Sequence, residues 1–224
     1  MPNELRRCPC DMGDRFGYEG DGQEVQVEHI KAYVCKPPAS TDKAVIVIHD
    51  IFGWQLPNTR YMADTLTTSG YIAICPDFFV GRETWKPSDH WSKFDDWLKT
   101  QDTRKINKMS GNWISHCLLL SDTAFFCCCF CLFVCLRLDA ANLPVKLNSD
   151  DIPTFLNPTF FIFAEKDDFF PLHQVSEATE TNCEVNYEVK TYPGQTHRSV
   201  HHRREDSNPQ DKPYIEEGRK DVIN

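Results

Sequence analysis

The feature that most constrains the fold is a continuous β-branched run, KAVIVIHD at residues 43–50, which follows the turn-forming PPAS at 37–40. An unbroken apolar run bounded by turn residues is typical of a strand buried on both faces of a parallel sheet. A second run, YIAICPDFF at 71–79, follows a predicted helix at 58–68 that stops at Gly70. Two buried strands joined by one helix predict a right-handed βαβ unit, the basic piece of an open α/β sheet.

The rest of the chain predicts a similar alternation of helices and strands, without an internal repeat. A chain of 224 residues can bury one core of ordinary size, so we expect a single domain. The further predicted elements are a helix at 91–108, a strand within 157–168, a helix at 171–181, a strand at 184–197 and a short helix near 214–223.

Charge and composition indicate which kinds of molecule this chain is expected to bind. The chain has 24 Lys and Arg against 33 Asp and Glu, a net charge of -9, which argues against nucleic acid because phosphate binding needs clustered basic residues. The N-terminal residues contain no apolar signal region, so we expect a cytosolic protein. Eleven cysteines without such a signal predict free thiols rather than a disulfide framework. The expected partner is a small molecule.

Three predicted strand ends carry groups that suit hydrolysis. Asp50 and Ile51 follow the first buried strand, Asp167 ends a later one, and His197 lies in the loop after the last. An acid and then a histidine on successive strands is the chain order of an α/β-hydrolase, in which the histidine removes the nucleophile's proton and the carboxylate fixes its tautomer. Taken singly, Asp167 could equally cap a helix and His197 could be an ordinary loop residue. Their joint order predicts the site.

Four segments extend this pattern to a family resemblance, namely VIVIHDIFGWQLPNTRYMADTL, PDFFVG, NPTFFIFAEKD and TYPGQTH. Together they resemble the animal members of the dienelactone hydrolase family, over residues 1–108 and 149–224. The resemblance implies an α/β-hydrolase-type, mostly parallel sheet flanked by helices. It also implies hydrolysis of esters and cyclic lactones by a Cys-His-Asp triad, with neither cofactor nor metal.

The same resemblance implies roles for four residues. Asp167 matches the acid of the triad and His197 its base. Asp50 stands where the family carries a glutamate that engages the resting cysteine. Ile51 matches the donor of one oxyanion-hole N–H, and donors of this kind contribute about 3 to 4 kcal/mol to transition-state stabilisation.

Two departures from the family put the substrate preference in doubt. The arginine that binds the substrate carboxylate in bacterial members would fall at Gly81, and Arg82 is only its neighbour. The triad histidine is followed in the family by a small residue and Phe, whereas residues 197–199 read His-Arg-Ser. Arg203 and Arg204 could bind a carboxylate, although a solvated basic face is the simpler interpretation.

A third departure concerns the nucleophile. The family places its cysteine on a strained G-x-C-x-G elbow between a strand and a helix, where small residues are needed on both sides. No two glycines of this chain bracket a Ser or Cys in that way. The ten glycines stand at 13, 17, 20, 22, 53, 70, 81, 111, 194 and 218.

The place of the elbow is taken by residues 109–148, which do not resemble the family and contain the cluster AFFCCCFCLFVCL at 124–136. The abrupt change at both ends is typical of an alternative or mispredicted exon. We expect the sheet to be disrupted here, with unpaired strand edges and no stable core, although the cluster could fill part of the gap as a strand or a buried helix.

Other interpretations of the cluster are weaker. A zinc site would need paired cysteines and loop glycines, and a membrane span would need about 20 apolar residues, more than the cluster supplies. A reversibly acylated interfacial segment remains an alternative. Cys129 or Cys131 could replace the nucleophile, but their bulky neighbours do not suit an elbow. Residues 197–202 include three histidines at metal-ligand spacing without a partner carboxylate motif.

The sequence therefore predicts a dienelactone-hydrolase-like protein with little or no hydrolase activity. Losing a nucleophile costs about a millionfold in rate, as much as losing the whole triad. A non-catalytic variant that binds a ligand or partner is the alternative from another class, and a faulty gene model is a third. The sequence leaves the natural substrate and the oligomeric state open.

Overall fold

An eight-stranded sheet and three α-helices make up the described part of the chain. The structure is a computed structural model, and it describes residues 17–27, 29–86, 88–101, 123–128, 133–137, 159–166, 186–196 and 209–223. The strands are β1 (Gln23–Val27), β2 (Ile30–Cys35), β3 (Lys43–Ile48), β4 (Ile72–Pro76), β5 (Thr123–Cys128), β6 (Phe133–Arg137), β7 (Thr159–Lys166) and β8 (Tyr187–Thr196). The helices are α1 (Pro57–Thr67), α2 (Phe94–Thr100), which a 3₁₀ turn at Trp91–Lys93 precedes, and α3 (Lys212–Ile223).

The sheet has the order β1-β2-β4-β3-β5-β6-β7-β8. The pairs β3–β4, β3–β5 and β7–β8 are parallel, whereas β2 runs antiparallel to β1 and β4, and β6 runs antiparallel to β5 and β7. Strands β2 and β6 are thus reversed, and the other six point the same way. The sheet is of the α/β type that the sequence predicts, with most strands pointing one way, although three of its seven pairings are parallel and four are antiparallel.

The predicted βαβ unit is confirmed. Strand β3 is buried on both faces from Ala44 to Ile48, as its continuous apolar run requires. Helix α1 begins with Pro57 at its first turn and is followed by Gly70 at φ +87°, a conformation that favours glycine. The predicted strands at 157–168 and 184–197 correspond to β7 and β8. The first part of the predicted helix at 91–108 is seen as the 3₁₀ turn and α2, and residues 102–108 lie outside the described residues. The predicted helix at 171–181 lies outside the described residues.

The cysteine-rich cluster supplies two strands. Strand β5 pairs parallel with β3 from Lys43↔Thr123 to Ile48↔Cys128, and β6 pairs with β7 from Leu136↔Thr159 to Phe133↔Ile162. The expected unpaired edges in the middle of the sheet are therefore wrong, because β5 and β6 close that gap. Strand β6 runs opposite to both of its neighbours.

One face of the sheet packs against α1 and α3 through a continuous apolar core. Its members come from both helices and five strands: Tyr33, Cys35, Val45, Val47, Trp54, Met62, Ala63, Leu66, Ala73, Cys75, Ile162, Tyr192 and Val222. The lysine and tyrosine of β8 tie α3 to the sheet, because Lys190 forms ion pairs with Glu217 and Asp221, and the Tyr192 hydroxyl donates to Asp221.

A buried carboxylate fastens the N-terminal segment to α1. The Asp64 carboxylate accepts hydrogen bonds from the hydroxyls of Tyr18 (2.5 Å) and Tyr33 (2.6 Å) and from the N–H of Asp21 (3.0 Å). The Tyr33 hydroxyl in turn accepts the N–H of Gly22 at 2.6 Å. This network gives a buried acid on α1 the hydrogen bonds that its desolvation demands.

The network predicts a loss of stability in alkali. Burial, followed by the hydrogen bond to Asp64, raises the pKa of both Tyr18 and Tyr33 above the ordinary value of 10. A raised folded-state pKa means that this stabilisation is complete below pH 10 and is lost as the pH rises further. We expect Tyr33→Phe to lower the free energy of unfolding by about 1 to 3 kcal/mol at neutral pH and to lessen the alkaline loss, as measured by urea denaturation.

The exposed Tyr187 provides the matched control. Tyr187→Phe should leave both the neutral stability and its alkaline decline unchanged. Equal alkaline declines in Tyr33→Phe and the unsubstituted chain would contradict the role of the network.

Candidate active site at the carboxyl edge of the sheet

The carboxyl ends of β3, β5, β7 and β8 meet at one edge of the sheet, because these four strands point the same way. Ligands of α/β sheets bind at this edge. The sequence assigns Asp50 and Ile51 to the end of β3, Asp167 to the end of β7 and His197 to the end of β8. The structure describes the first two of these residues; Asp167 and His197 lie outside the described residues.

The turn after β3 is held by its own backbone. Asp50 is fully buried, its Oδ1 accepts the N–H of Phe52 at 2.8 Å, and its carbonyl accepts the N–H of Gly53 at 3.1 Å. Gly53 has φ +92°, and a Cβ there would lie 2.6 Å from Cγ2 of Thr84. The turn therefore requires glycine at this position, both for its conformation and for the close approach of the neighbouring loop.

Ile51 is oriented by a neighbouring loop. Its carbonyl accepts the N–H of Trp85 at 2.8 Å, and no hydrogen bond among the described residues uses its N–H. Ile51 is half-buried, and a main-chain N–H whose peptide is fixed in this way can donate to an oxyanion without reorganisation. This geometry agrees with the predicted role, which stays a prediction.

His49 was not singled out by the sequence, yet it organises the turn. It is fully buried, and its Nε2 accepts the N–H of Phe78 at 3.1 Å while its Nδ1 lies 2.7 Å from the carbonyl of Asp50. A backbone N–H can only donate, so Nε2 carries no proton and Nδ1 donates to the carbonyl. Burial lowers the pKa of His49, which favours this neutral form. The imidazole thus links the ends of β3 and β4.

The loop after β4 contains a strained residue. Asp77 accepts the N–H groups of Phe79 (3.1 Å) and Gly81 (2.7 Å) through its two carboxylate oxygens. Between them Val80 has φ +55°, which a β-branched residue rarely adopts. Arg82, next to the position of the family's carboxylate-binding arginine, donates from Nη1 to the carbonyl of Thr100 at 2.9 Å. Its guanidinium is therefore engaged at the end of α2.

An aromatic cluster forms one side of this region. The ring centroid of Trp85 lies 5.3 Å from that of Phe94 and 5.6 Å from that of Trp97, and Phe79 lies 5.8 Å from Trp97 and 5.0 Å from His49. The indole N–H of Trp97 donates to the carbonyl of Glu83 at 3.1 Å. Helix α2 thus holds the loop that carries Trp85 against the turn after β3.

Two described cysteines are unsuited to nucleophilic attack. Cys35 and Cys75 are buried free thiols. Burial raises the pKa of Cys35 to about 11. Burial and then the charges of Asp50 and Asp77 raise the pKa of Cys75 even further. Because the thiolate is the reactive form, neither residue is suited to act as a nucleophile at neutral pH.

Strands β7 and β8 place the attachment points of the predicted acid and base side by side. Lys166 pairs with Thr196 after a register shift, and Asp167 and His197 are the next residues in the chain. The Glu165 carboxylate also accepts the N–H of Gly194 at 2.7 Å, which joins the two strand ends. The sequence did not indicate Glu165, because its partner lies far away in the chain.

Other expectations concern metals and membranes. Within the described ranges, no cluster of three or more His, Cys, Asp or Glu side chains could hold a metal ion. None of the described helices is both long enough and apolar enough to span a membrane. The histidines at 197–202 and the arginines at 198, 203 and 204 lie outside the described residues.

The strand order, the crossover helix and the turn after β3 define an α/β-hydrolase fold. A solved putative dienelactone hydrolase from Klebsiella pneumoniae subsp. pneumoniae superposes with a TM-score of 0.64 at 16% identity, over 92% of this chain and 95% of that one. The dienelactone hydrolase family model matches residues 30–223. The chain belongs to the dienelactone hydrolase family, as the sequence resemblance predicts.

Two curated relatives match the whole chain. The carboxymethylenebutenolidase homolog of Xenopus tropicalis is 46% identical over 249 residues, and that of Mus musculus is 46% identical over 241. Both alignments cover 100% of this chain and 97% of the relative. Because this chain has 224 residues, the Xenopus alignment exceeds it by 25 positions, the difference between 249 and 224. The relatives therefore carry residues inside the aligned region that this chain lacks.

The neutral state of His49 predicts a loss of stability in acid. Because its pKa is lowered below the ordinary 6.5, the unfolded chain gains a proton that the folded chain does not bind. Stability therefore falls as the pH drops below 6.5, with a slope approaching 1.4 kcal/mol per pH unit from this residue. We expect His49→Gln to be less stable at neutral pH and to show a shallower acid decline in urea denaturation.

The exposed His90 supplies the comparison for His49. His90→Gln should reproduce the acid decline of the unsubstituted chain. If His49→Gln also reproduced it, the buried neutral imidazole would not be the cause.

Proposed function

We propose that this chain has the scaffold of an ester and lactone hydrolase but hydrolyses these bonds close to the uncatalysed rate. The observation that carries the proposal is the pairing of β5 with β6. Cys128 and Val134 are opposite each other in antiparallel register, so only residues 129–132 connect the two strands. A nucleophile elbow needs a strand, a tight turn and a helix, whereas four residues suffice only for a hairpin loop.

The mechanism that the family resemblance implies needs four groups at the carboxyl edge: a nucleophile, an oxyanion donor, a base and an acid. A cysteine thiolate attacks the acyl carbonyl, the main-chain N–H of Ile51 stabilises the oxyanion, and His197 transfers protons with Asp167 behind it. The turn after β3 and the aligned ends of β7 and β8 support the last three roles. The first role is left to the connection after β5, which has neither the flanking glycines nor the following helix.

The charges near the described cysteine at this edge also support a chain without a reactive thiolate. A buried thiol becomes reactive only when a cation, a histidine or a helix N-terminus stabilises its thiolate. The only described cysteine whose pKa is affected by Asp50 at this edge is Cys75, and burial together with that charge favours its protonated form. The carboxylate of Asp50, which matches a family residue that engages the resting cysteine, thus opposes thiolate formation at Cys75.

The proposal predicts very slow turnover. With aryl esters and dienelactone as substrates, we expect kcat/KM about 10⁴-fold or more below that of the Mus musculus carboxymethylenebutenolidase homolog assayed in parallel. Thiol alkylation should abolish the turnover of the relative and leave the residual rate of this chain unchanged.

Triad variants make the test specific. A base and an acid without a nucleophile have nothing to activate, so His197→Ala and Asp167→Asn should change the residual rate by less than about twofold. Alkylation-sensitive turnover that also falls in His197→Ala would overturn the proposal and point to Cys129 or Cys131 as a replacement nucleophile.

A non-catalytic binding protein is the second candidate function. The intact turn at 50–53 and the aromatic cluster around Trp85 favour it, because both parts of the carboxyl edge persist without the elbow. Protection of the folded chain from heat by dienelactone, without product formation, would support this function. Absence of protection would reject it.

A third possibility concerns residues 109–148 themselves. Sequencing the transcript across codons 105–155 decides whether the cluster is the encoded sequence. An encoded G-x-C-x-G elbow would make the natural protein an ordinary family hydrolase and the present segment an artefact.

A further inference from the structure

The register of the central strands places two cysteines directly opposite each other. Cys127 of β5 pairs with Cys135 of β6, and both belong to one row that crosses five strands. The row continues to Val47 of β3 on one side and to Phe160 of β7 and Glu188 of β8 on the other. Paired residues in such a row lie on the same face of a sheet.

The geometry of antiparallel pairing suits a disulfide. Directly opposite residues have Cα atoms about 4.5 to 5.5 Å apart, and disulfides span Cα separations of about 4.4 to 6.8 Å. Opposed positions in an antiparallel pair therefore fall within the Cα separations that a disulfide spans. The loop that the bond would close contains only the residues between 127 and 135.

Among the cysteines of β5 and β6, the register leaves only Cys127 and Cys135 directly opposite each other. Cys128, the immediate neighbour of Cys127, is opposite Val134, and the other opposing pairs of the hairpin contain no second cysteine. A slip of one residue would move the whole row to the other face of the sheet. The buried Val47 and the core-packed Phe160, on either side of the cysteine pair, disfavour such a slip.

We propose that Cys127 and Cys135 form a dithiol site that a low-molecular-weight disulfide, such as oxidised glutathione, converts into a cross-strand disulfide. One cysteine thiolate attacks the small disulfide, forms a mixed disulfide and releases one small thiolate. The second cysteine thiolate attacks the protein sulfur of the mixed disulfide and releases the other small thiolate. The two protons from the cysteines go to the released thiolates, so two protein thiols are oxidised while one small disulfide is reduced to two thiols.

Thiol–disulfide exchange needs a thiolate and access for the small disulfide. We therefore expect the cross-link to form while the chain folds or when the hairpin opens. A disulfide at this site would be an exception to the sequence-based prediction that the cysteines are free thiols.

The test refolds the full chain in glutathione mixtures that run from reducing to oxidising. Remaining thiols are blocked in denaturant, and the protein is then digested with trypsin and chymotrypsin. Chymotrypsin separates Cys127 from Cys135 because it cuts after Phe130, Leu132 and Phe133. Mass spectrometry should find two peptides joined by Cys127 and Cys135. The cross-linked chain should melt about 5 to 10 °C higher than the reduced chain.

Three variants separate the site from general thiol chemistry. Cys127→Ala and Cys135→Ala should lose both the linked peptides and the rise in melting temperature, whereas Cys128→Ala should keep both. Linked peptides that involve other cysteines instead, or no cross-link in the oxidised folded chain, would overturn the proposal. Cys128→Ala keeps both opposed cysteines, so it controls for the loss of a neighbouring thiol from the same strand, and its far-ultraviolet circular dichroism checks that it is folded.

Discussion

The antiparallel pairing of β6 with both β5 and β7 is the constraint on which the rest of the structure depends. The gap between β3 and β7 has to be filled, because a sheet open at its centre would expose unpaired backbone groups. Here it is filled by a hairpin of two apolar strands whose register runs from Phe125↔Arg137 to Cys128↔Val134. In the proposed function, this hairpin takes the place of the strand-to-helix connection that carries the nucleophile in the family.

The turns after β3 and β4 form a hydrogen-bonded network at the carboxyl edge. Its buried groups are satisfied: His49 is neutral and uses both ring nitrogens, and Asp50 and Asp77 each accept main-chain N–H groups. Such a network is costly to disturb, because each group that lost its partner would stay buried without a hydrogen bond. These turns therefore depend on contacts between β3, β4 and the loops that follow them.

Much of the fold could be predicted from the sequence because the buried strands β3, β4 and β7 are continuous apolar runs with turn residues at their ends. Strand β1 was not predicted, because QEVQV at an edge buries little and lacks such a run. The direction of β6 was beyond prediction, since an apolar run looks alike in a parallel strand, an antiparallel strand or a buried helix. His49 was missed for a related reason: its partner Phe78 is 29 residues away, and only the folded sheet brings them together.

The most direct test of the account is the backbone register of β5 and β6 in solution, measured by nuclear Overhauser effects between Hα protons in the deuterium-exchanged chain. The account predicts cross-strand Hα contacts at alternate opposing pairs, either Cys128 with Val134 and Phe126 with Leu136, or Cys127 with Cys135 and Phe125 with Arg137. Helical contacts immediately after Cys128, or a parallel pattern between β6 and β7, would contradict it, because either would restore room for a nucleophile elbow.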